Sequence, residues 1–136
     1  DLPPGTGDIQ LTIVQTAELD GVVVVTTPQE VALIDARKAI GLFERVETPI
    51  LGIIENMSYF QCPSDGKIYH IFGEGGGERE AAKLGVPLLG KIPLDISTRF
   101  GGDEGRPVAL EDPGQNPVSA AFRQVAEQCA RVVLDR

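Results

Sequence analysis

The sequence predicts an α/β protein with a mostly parallel sheet flanked by helices. Two continuous apolar runs, residues 22–25 and 50–54, have the composition of parallel strands that are buried on both faces. Between them, apolar side chains recur at helical spacing from residue 29 to residue 46, namely Ala32, Ala36, Ala39, Phe43 and Val46. Residues 22–54 therefore form a βαβ unit, and we expect its first strand at the centre of the sheet.

The same alternation of elements continues on both sides of this unit. We expect a short helix over residues 9–15, a loop that can form a hairpin up to residue 72, a helix over 78–84 and a strand over 88–92. A closing helix has one apolar face, made of Val118, Phe122, Val125, Cys129, Val132 and Val133. Before it, turn-forming residues that include Gly101 and Gly102 predict a mobile surface stretch.

Length and composition indicate one domain. The chain has 136 residues, of which 42% are hydrophobic, enough for a single core. It starts at Asp1 without an initiator Met or a charged leader, which we interpret as a cut or processed end. We therefore expect the N-terminal strands of the fold to be missing.

Charge and hydropathy exclude two classes of partner. A formal net charge of −8 with 12 Lys and Arg residues argues against nucleic acid, whose phosphates require clustered basic side chains. The longest apolar runs are far shorter than the roughly 20 residues that a membrane-spanning helix needs. Two distant cysteines, Cys62 and Cys129, do not make a disulfide framework and fit a reducing cytoplasm.

Residues 1–8, with the sequence DLPPGTGD, combine carboxylates with glycines just before a short helix. Glycine lets backbone amides approach a phosphate, and an Asp at a strand end can hold the water shell of a metal ion. A phosphate or Mg²⁺ sensor needs both. By composition alone, an ordinary surface turn explains the octet better than a sensor does.

Five blocks in order resemble the Mrp family of deviant-Walker P-loop ATPases, a group that includes the MinD and ParA proteins. They are DLPPGTGD at 1–8, TTPQEVA at 26–32, ENMS at 55–58, IFG at 71–73 with GGGE at 75–78, and GKIPLD at 90–95. The octet resembles the switch II segment of that family. The resemblance implies a P-loop NTPase fold that carries iron-sulfur clusters and uses ATP with Mg²⁺.

The resemblance also implies roles for individual residues. Asp1 is similar to the Walker B carboxylate that acts on Mg²⁺ through water, and Gly5 to the amide that senses the γ-phosphate. Asn56 resembles the Asn that reads adenine. The segment Pro93, Leu94 and Asp95 matches the loop that lies along the purine ring in relatives. All these positions follow predicted strands, where open parallel sheets bind their ligands.

The phosphate-binding loop itself is absent from the sequence. No G-x-x-x-x-G-K-[ST] motif occurs in the 136 residues, so tight ATP binding is expected only of the intact protein. The glycines of residues 73–77 do not replace it, because Glu74 stands where a phosphate needs a cation. We interpret this segment as a flexible hinge before a helix, rather than an anion site.

The second candidate site is Cys62, in a loop where the family has Cys-x-x-Cys. In relatives two subunits each present that pair, which gives the four thiolates of a [4Fe-4S] cluster. Here Asp65 occupies the second cysteine position. A homodimer would offer two thiolates and two hard oxygens, so a cluster is expected to be weakly held or lost. A zinc site made of Cys62, Asp65 and His70 is the lesser alternative, because its spacing matches no closed structural site.

Three functions follow from the sequence. The first is a cytoplasmic iron-sulfur cluster carrier, homodimeric, that delivers clusters to apo client proteins and hydrolyses ATP when complete. The second is a MinD- or ParA-like nucleotide-dependent dimerising switch without a cluster, which the Cys-to-Asp difference favours. The third is a folded fragment with no activity of its own.

Overall fold

The computed structural model describes residues 1–3 and 6–135. The elements in chain order are α1 (Asp8–Thr16), β1 (Val22–Thr26), α2 (Glu30–Arg45), β2 (Ile50–Glu55), β3 (Phe60–Gln61), β4 (Ile68–Tyr69), α3 (Gly76–Leu84), β5 (Leu88–Lys91), α4 (Ile96–Asp103), a 3₁₀ turn (Val108–Leu110) and α5 (Pro117–Leu134). None of the helices in these ranges is long and apolar enough to cross a bilayer.

Strands β1, β2 and β5 form a parallel sheet in that spatial order, and β3 and β4 form a separate antiparallel hairpin. Val24 lies opposite Ile53, and Ile54 lies opposite Gly90. The parallel pairing of β1 with β2 through α2 confirms the βαβ unit and the predicted α/β class.

Helices cover both faces of the sheet. On one face α2 and α3 pack over the cluster of Val24, Ala36, Ile40, Ile53 and Ala81. On the other face α5 and the 3₁₀ turn pack over Ile54, Leu89, Ile92, Val108, Val118 and Val125. Ile53 and Ile54 point to opposite sides because successive side chains of a strand alternate. The fold is a layered α/β sandwich.

The predicted position of β1 was wrong. Within the described residues β1 is an edge strand and β2 is the central one. Val25 is 58% exposed, so β1 is not buried on both faces. A continuous apolar run shows that a strand is apolar, whereas its place in the sheet depends on which other strands pair with it.

Two helical details also differ from expectation. In α2 the buried residues are Leu33, Ala36, Ile40 and Phe43, whereas Ala32 and Ala39 are only half-buried. Gly101 and Gly102 belong to α4 and not to a mobile stretch. Asp95 starts α4 by accepting hydrogen bonds from the amides of Ser97 and Thr98, a side-chain cap that offsets the low helix propensity of glycine.

Candidate functional site

A groove of about 810 Å³ runs along β1, between α1 and α2. Much of its lining is apolar, from Leu2, Ile13, Leu19, Ala39, Leu42 and the valines of β1. Thr26, Thr27 and Asn56, at the ends of β1 and β2, line the groove, and Asp1 is another polar residue of its lining. The carboxyl ends of parallel strands are where open α/β sheets bind ligands.

Asn56 follows the end of β2 in a tight turn. Its backbone amide donates to the carbonyl oxygen of Thr26 at 2.7 Å, which ties the end of β2 to the end of β1. Its side-chain Oδ1 accepts from the amide of Met57 at 2.9 Å. Met57 has a φ of 50°, a left-handed conformation that is uncommon for residues other than glycine. The turn thus directs the Asn56 side chain towards the groove.

Asp1 is the other predicted site residue that lines this groove. Its side chain is exposed. Gly5, the predicted γ-phosphate sensor, lies outside the described residues. The structure therefore places both Asp1 and Asn56 in the lining of one groove.

Pro93, Leu94 and Asp95 do not line the groove of Asn56; they continue β5 on the other side of β2. Pro93 is buried, and the Asp95 carboxylate is engaged as the cap of α4. The Leu94 amide donates to the Tyr59 carbonyl oxygen at 2.8 Å, and a parallel bridge joins Leu94 to Phe60. This segment is therefore attached directly to the hairpin that carries Cys62.

Cys62 lies at the tip of the β3–β4 hairpin. Its amide donates to the Lys67 carbonyl oxygen at 2.9 Å, and its carbonyl oxygen accepts from Gly66 at 2.8 Å. The Ser64 amide lowers the pKa of the Cys62 thiol, helped by the Ser64 hydroxyl and the Asp65 amide, because each donates to sulfur. The Asp65 carboxylate acts in the opposite direction and raises the pKa of the Cys62 thiol.

The zinc alternative finds no support in the described part of the chain. No group of three or more His, Cys, Asp or Glu side chains is arranged there to hold a metal ion. His70 lies just beyond β4, with its Nε2 3.5 Å from Glu74 Oε1. Within residues 1–3 and 6–135, a single copy of the chain offers Cys62 with Asp65 and no third ligand beside them.

Glu55 received no role from the sequence, although it stands next to Asn56. Glu55 is 1% exposed, and its carboxylate accepts from the Ser58 hydroxyl at 2.5 Å and the Gly77 amide at 2.8 Å. A local signal exists, since an acid ends the apolar run of β2 and a serine follows three residues later. A carboxylate that closes an apolar strand must find hydrogen bonds, since its burial is otherwise costly.

Two glycines of the predicted hinge, Gly76 and Gly77, are packed into the first turn of α3. A Cβ atom on Gly76 would lie 2.4 Å from the Pro28 carbonyl oxygen, and one on Gly77 would lie 3.1 Å from Glu55. Both residues are buried in the first turn of α3. Their small size lets α3 approach the ends of β1 and β2.

A parallel sheet covered by helices on both faces, with polar residues at its strand ends, is the architecture of the open α/β proteins that bind ligands beyond those ends. A family model described as ParA, NUBPL iron-transfer P-loop NTPase, matches residues 1–130. The chain belongs to this family.

Relatives with known names agree with this assignment. An iron-sulfur cluster carrier protein of Pyrococcus furiosus is 51% identical over 128 residues, which are 94% of this chain and 43% of that protein. A nucleotide-binding protein from Archaeoglobus fulgidus, solved in complex with ADP, is 44% identical with a TM-score of 0.68, covering 77% of this chain and 43% of that one. The cell division ATPase MinD of Pyrococcus furiosus is 25% identical with a TM-score of 0.73, covering 97% of this chain and 50% of that one. The chain thus spans half or less of the length of each of these three proteins.

Proposed function

We propose that this chain supplies the base side of the nucleotide site and the cluster-holding loop of an ATP-dependent iron-sulfur cluster carrier. The observation that carries the proposal is the connection between the two sites. Leu94, in the segment proposed to face the purine ring, is hydrogen-bonded through its backbone to Tyr59, three residues before Cys62. The similarity to proteins named as cluster carriers supports it.

On the nucleotide side, Asn56 is the proposed adenine reader, because an amide side chain offers both a donor and an acceptor. Pro93 and Leu94 are proposed to lie along the purine ring, with Asp95 shaping that loop as the cap of α4. Asp1 is proposed to hold Mg²⁺ through water and Gly5 to sense the γ-phosphate. This proposal requires a phosphate-binding loop, which these 136 residues lack.

The cluster is the cargo of this proposed function, and Cys62 is its proposed ligand. Amide and hydroxyl donors around the sulfur favour the thiolate, the form that binds iron. Asp65 contributes a carboxylate oxygen, a harder ligand that holds a sulfur-rich cluster less tightly than a second thiolate would. We therefore propose a labile cluster that is released readily to apo client proteins.

A homodimer is proposed because one copy has too few ligands for a cluster. The β3–β4 hairpin that carries Cys62 exposes two large apolar side chains, Ile68 and Tyr69. Two hairpins that face each other would bury these side chains and bring two Cys62–Asp65 pairs together.

Two unpaired cysteines are consistent with a cytoplasmic location.

Anaerobic reconstitution with iron and sulfide tests the cluster half of the proposal. The complete protein is expected to gain visible cluster absorbance that is lost in Cys62→Ala and made more persistent in Asp65→Cys. Cys129→Ala is the control, since that thiol lies on α5, packed against the core. Absorbance that is unchanged in Cys62→Ala would contradict the proposed ligand.

The alternative function is a nucleotide-dependent dimerising switch without a cluster. Asp65 in the second cysteine position favours it, as does the similarity to MinD. Dimerisation that depends on ATP in metal-replete protein that carries no iron would support this alternative. Iron and sulfide bound in a Cys62-dependent way would exclude it.

A further inference from the structure

Glu55 is a buried acid that no step of the proposed function uses. It is the last residue of β2, and its side chain is 1% exposed. Burying a carboxylate is costly even when it is hydrogen-bonded, and an apolar side chain at this position would avoid the cost. Its two oxygens accept from Ser58 Oγ and Gly77 N. The acid therefore serves something other than packing.

The Glu55–Ser58 hydrogen bond closes the turn that contains Asn56 and Met57. Met57 has a φ of 50°, which is unfavourable for a side chain of its kind. Such conformations persist only where the surrounding structure enforces them. Here the Asn56 Oδ1 accepts from the Met57 amide within the turn, and the bond between Glu55 and Ser58 fixes its two ends.

Both proposed sites are attached to this turn. On one side Asn56 lines the groove beside β1. On the other side the Ser58 amide donates to the Ile92 carbonyl oxygen at 3.0 Å, next to the Pro93 segment. The chain then passes directly from Ser58 into β3 and the hairpin of Cys62.

We propose that Glu55 and Ser58 are positioning residues, whose hydrogen bond holds the strained turn so that Asn56 faces the nucleotide base and the Cys62 hairpin starts in a fixed direction. Glu55 is 1% exposed and Ser58 is 3% exposed, so neither side chain is assigned a contact with a ligand. The inference rests on the proposed function for the role of Asn56. For the hairpin it rests only on the contacts given above.

Ser58→Ala in the complete protein tests the pair, with Ser119→Ala as a matched control. Ser119 is 2% exposed, and its hydroxyl donates to the Glu111 carbonyl oxygen at 2.6 Å, so the same buried group is deleted away from the turn. Loss of one buried hydrogen bond at Ser58 is expected to weaken ATP binding about tenfold by calorimetry. Amide exchange at Cys62 and Leu94 should also accelerate. The control should change neither.

A second substitution separates positioning from general stability. Asn adopts left-handed φ values more readily than Met, so Met57→Asn favours the native turn even when the Glu55–Ser58 hydrogen bond is absent. In the Ser58→Ala background it is expected to recover most of the lost ATP affinity. If Ser58→Ala fails to fold, Glu55→Gln is tested in its place. Its affinity for ATP is expected to fall about threefold, because a hydrogen bond to a neutral amide is weaker than one to a carboxylate.

Equal ATP affinity and equal hairpin exchange in Ser58→Ala and Ser119→Ala would overturn the inference, as would the absence of rescue by Met57→Asn. Failure of the proposed function has a different signature, in which the unmodified complete protein binds no ATP. That result removes the role assigned to Asn56. The exchange rates at Cys62 and Leu94 still decide the role of the pair in placing the hairpin.

Discussion

The Arg37 guanidinium donates to the Glu80 carboxylate from Nε at 3.0 Å and from Nη2 at 2.5 Å, which joins α2 to α3. Glu80 is buried, whereas Arg37 is partly exposed and also pairs with Glu30. Both helices cover the same face of the sheet, so this ion pair holds the layer beside β1 and β2 in place.

Arg37→Met is expected to lower the free energy of unfolding, because it leaves the buried Glu80 carboxylate without its main partner. The partial exposure of Arg37 keeps the loss below that of a fully buried pair. Urea unfolding followed by circular dichroism measures it. Lys38→Met is the matched control, since Lys38 lies on the same helix with an exposed side chain 3.9 Å from Asp35. Equal losses in the two variants would contradict the prediction.

The same pair predicts a pH dependence. The Arg37 hydrogen bond lowers the pKa of Glu80 below its ordinary value of 4.5. A carboxyl group with a lowered pKa in the folded state stabilises the protein fully above its unfolded pKa, and this contribution is lost as pH falls through the folded value. Stability should therefore decline below about pH 4.5. In Glu80→Gln, urea midpoints should decline less over the same interval; parallel curves would argue against this linkage.

Gly76→Ala is expected to destabilise the protein by about 2 kcal/mol or more, because the new methyl group meets the Pro28 carbonyl oxygen at 2.4 Å. Thermal unfolding compares it with Gly41→Ala. Gly41 lies within α2, where an added methyl group would meet nothing within 4 Å beyond its chain neighbours and the adjacent backbone of its own helix, so alanine there should stabilise by about 0.5–1 kcal/mol. Opposite signs for the two changes are the expected result, and a neutral Gly76→Ala would refute the close approach.

The two thiols should differ in reactivity. Ser64 and the Asp65 amide lower the pKa of Cys62, whereas burial raises the pKa of Cys129. Since the thiolate is the nucleophile, iodoacetamide at neutral pH should alkylate Cys62 first, as read by peptide mass spectrometry. Ser64→Ala removes a hydroxyl donor, so it should slow the alkylation of Cys62 and leave that of Cys129 unchanged. Faster reaction at Cys129 would contradict the assignment.

The free edge of β1 predicts self-association of the 136-residue chain. No other strand pairs with the outer side of β1 within residues 1–3 and 6–135, and Val25 is exposed there. Unpaired strand edges form hydrogen bonds with strands of other chains, and a lysine on the edge strand opposes this pairing. Light scattering is expected to show association that Val25→Lys abolishes. Val31→Lys, on the exposed side of α2, should leave it intact. A strictly monomeric chain at high concentration would rule the prediction out.

Periodicity and composition were sufficient for the class of fold and for most elements. The apolar runs of β1 and β2, and the stripe of α5, bury enough side chains to be recognised from the sequence pattern. Helix α4 was missed because none of its residues is buried and two are glycines, which leaves its Asp95 cap as its main local signal.

The sequence by itself determined the α/β class and the parallel βαβ unit, because strand periodicity is a local property, whereas the candidates Asn56, Cys62 and Asp65 came from the resemblance to a known family. Only the tertiary structure decided that β1 is an edge strand, since pairing depends on distant strands. It also decided that Glu55, Ser58 and Gly77 meet at one buried carboxylate. Residues 22 positions apart become partners only when α3 packs on β2.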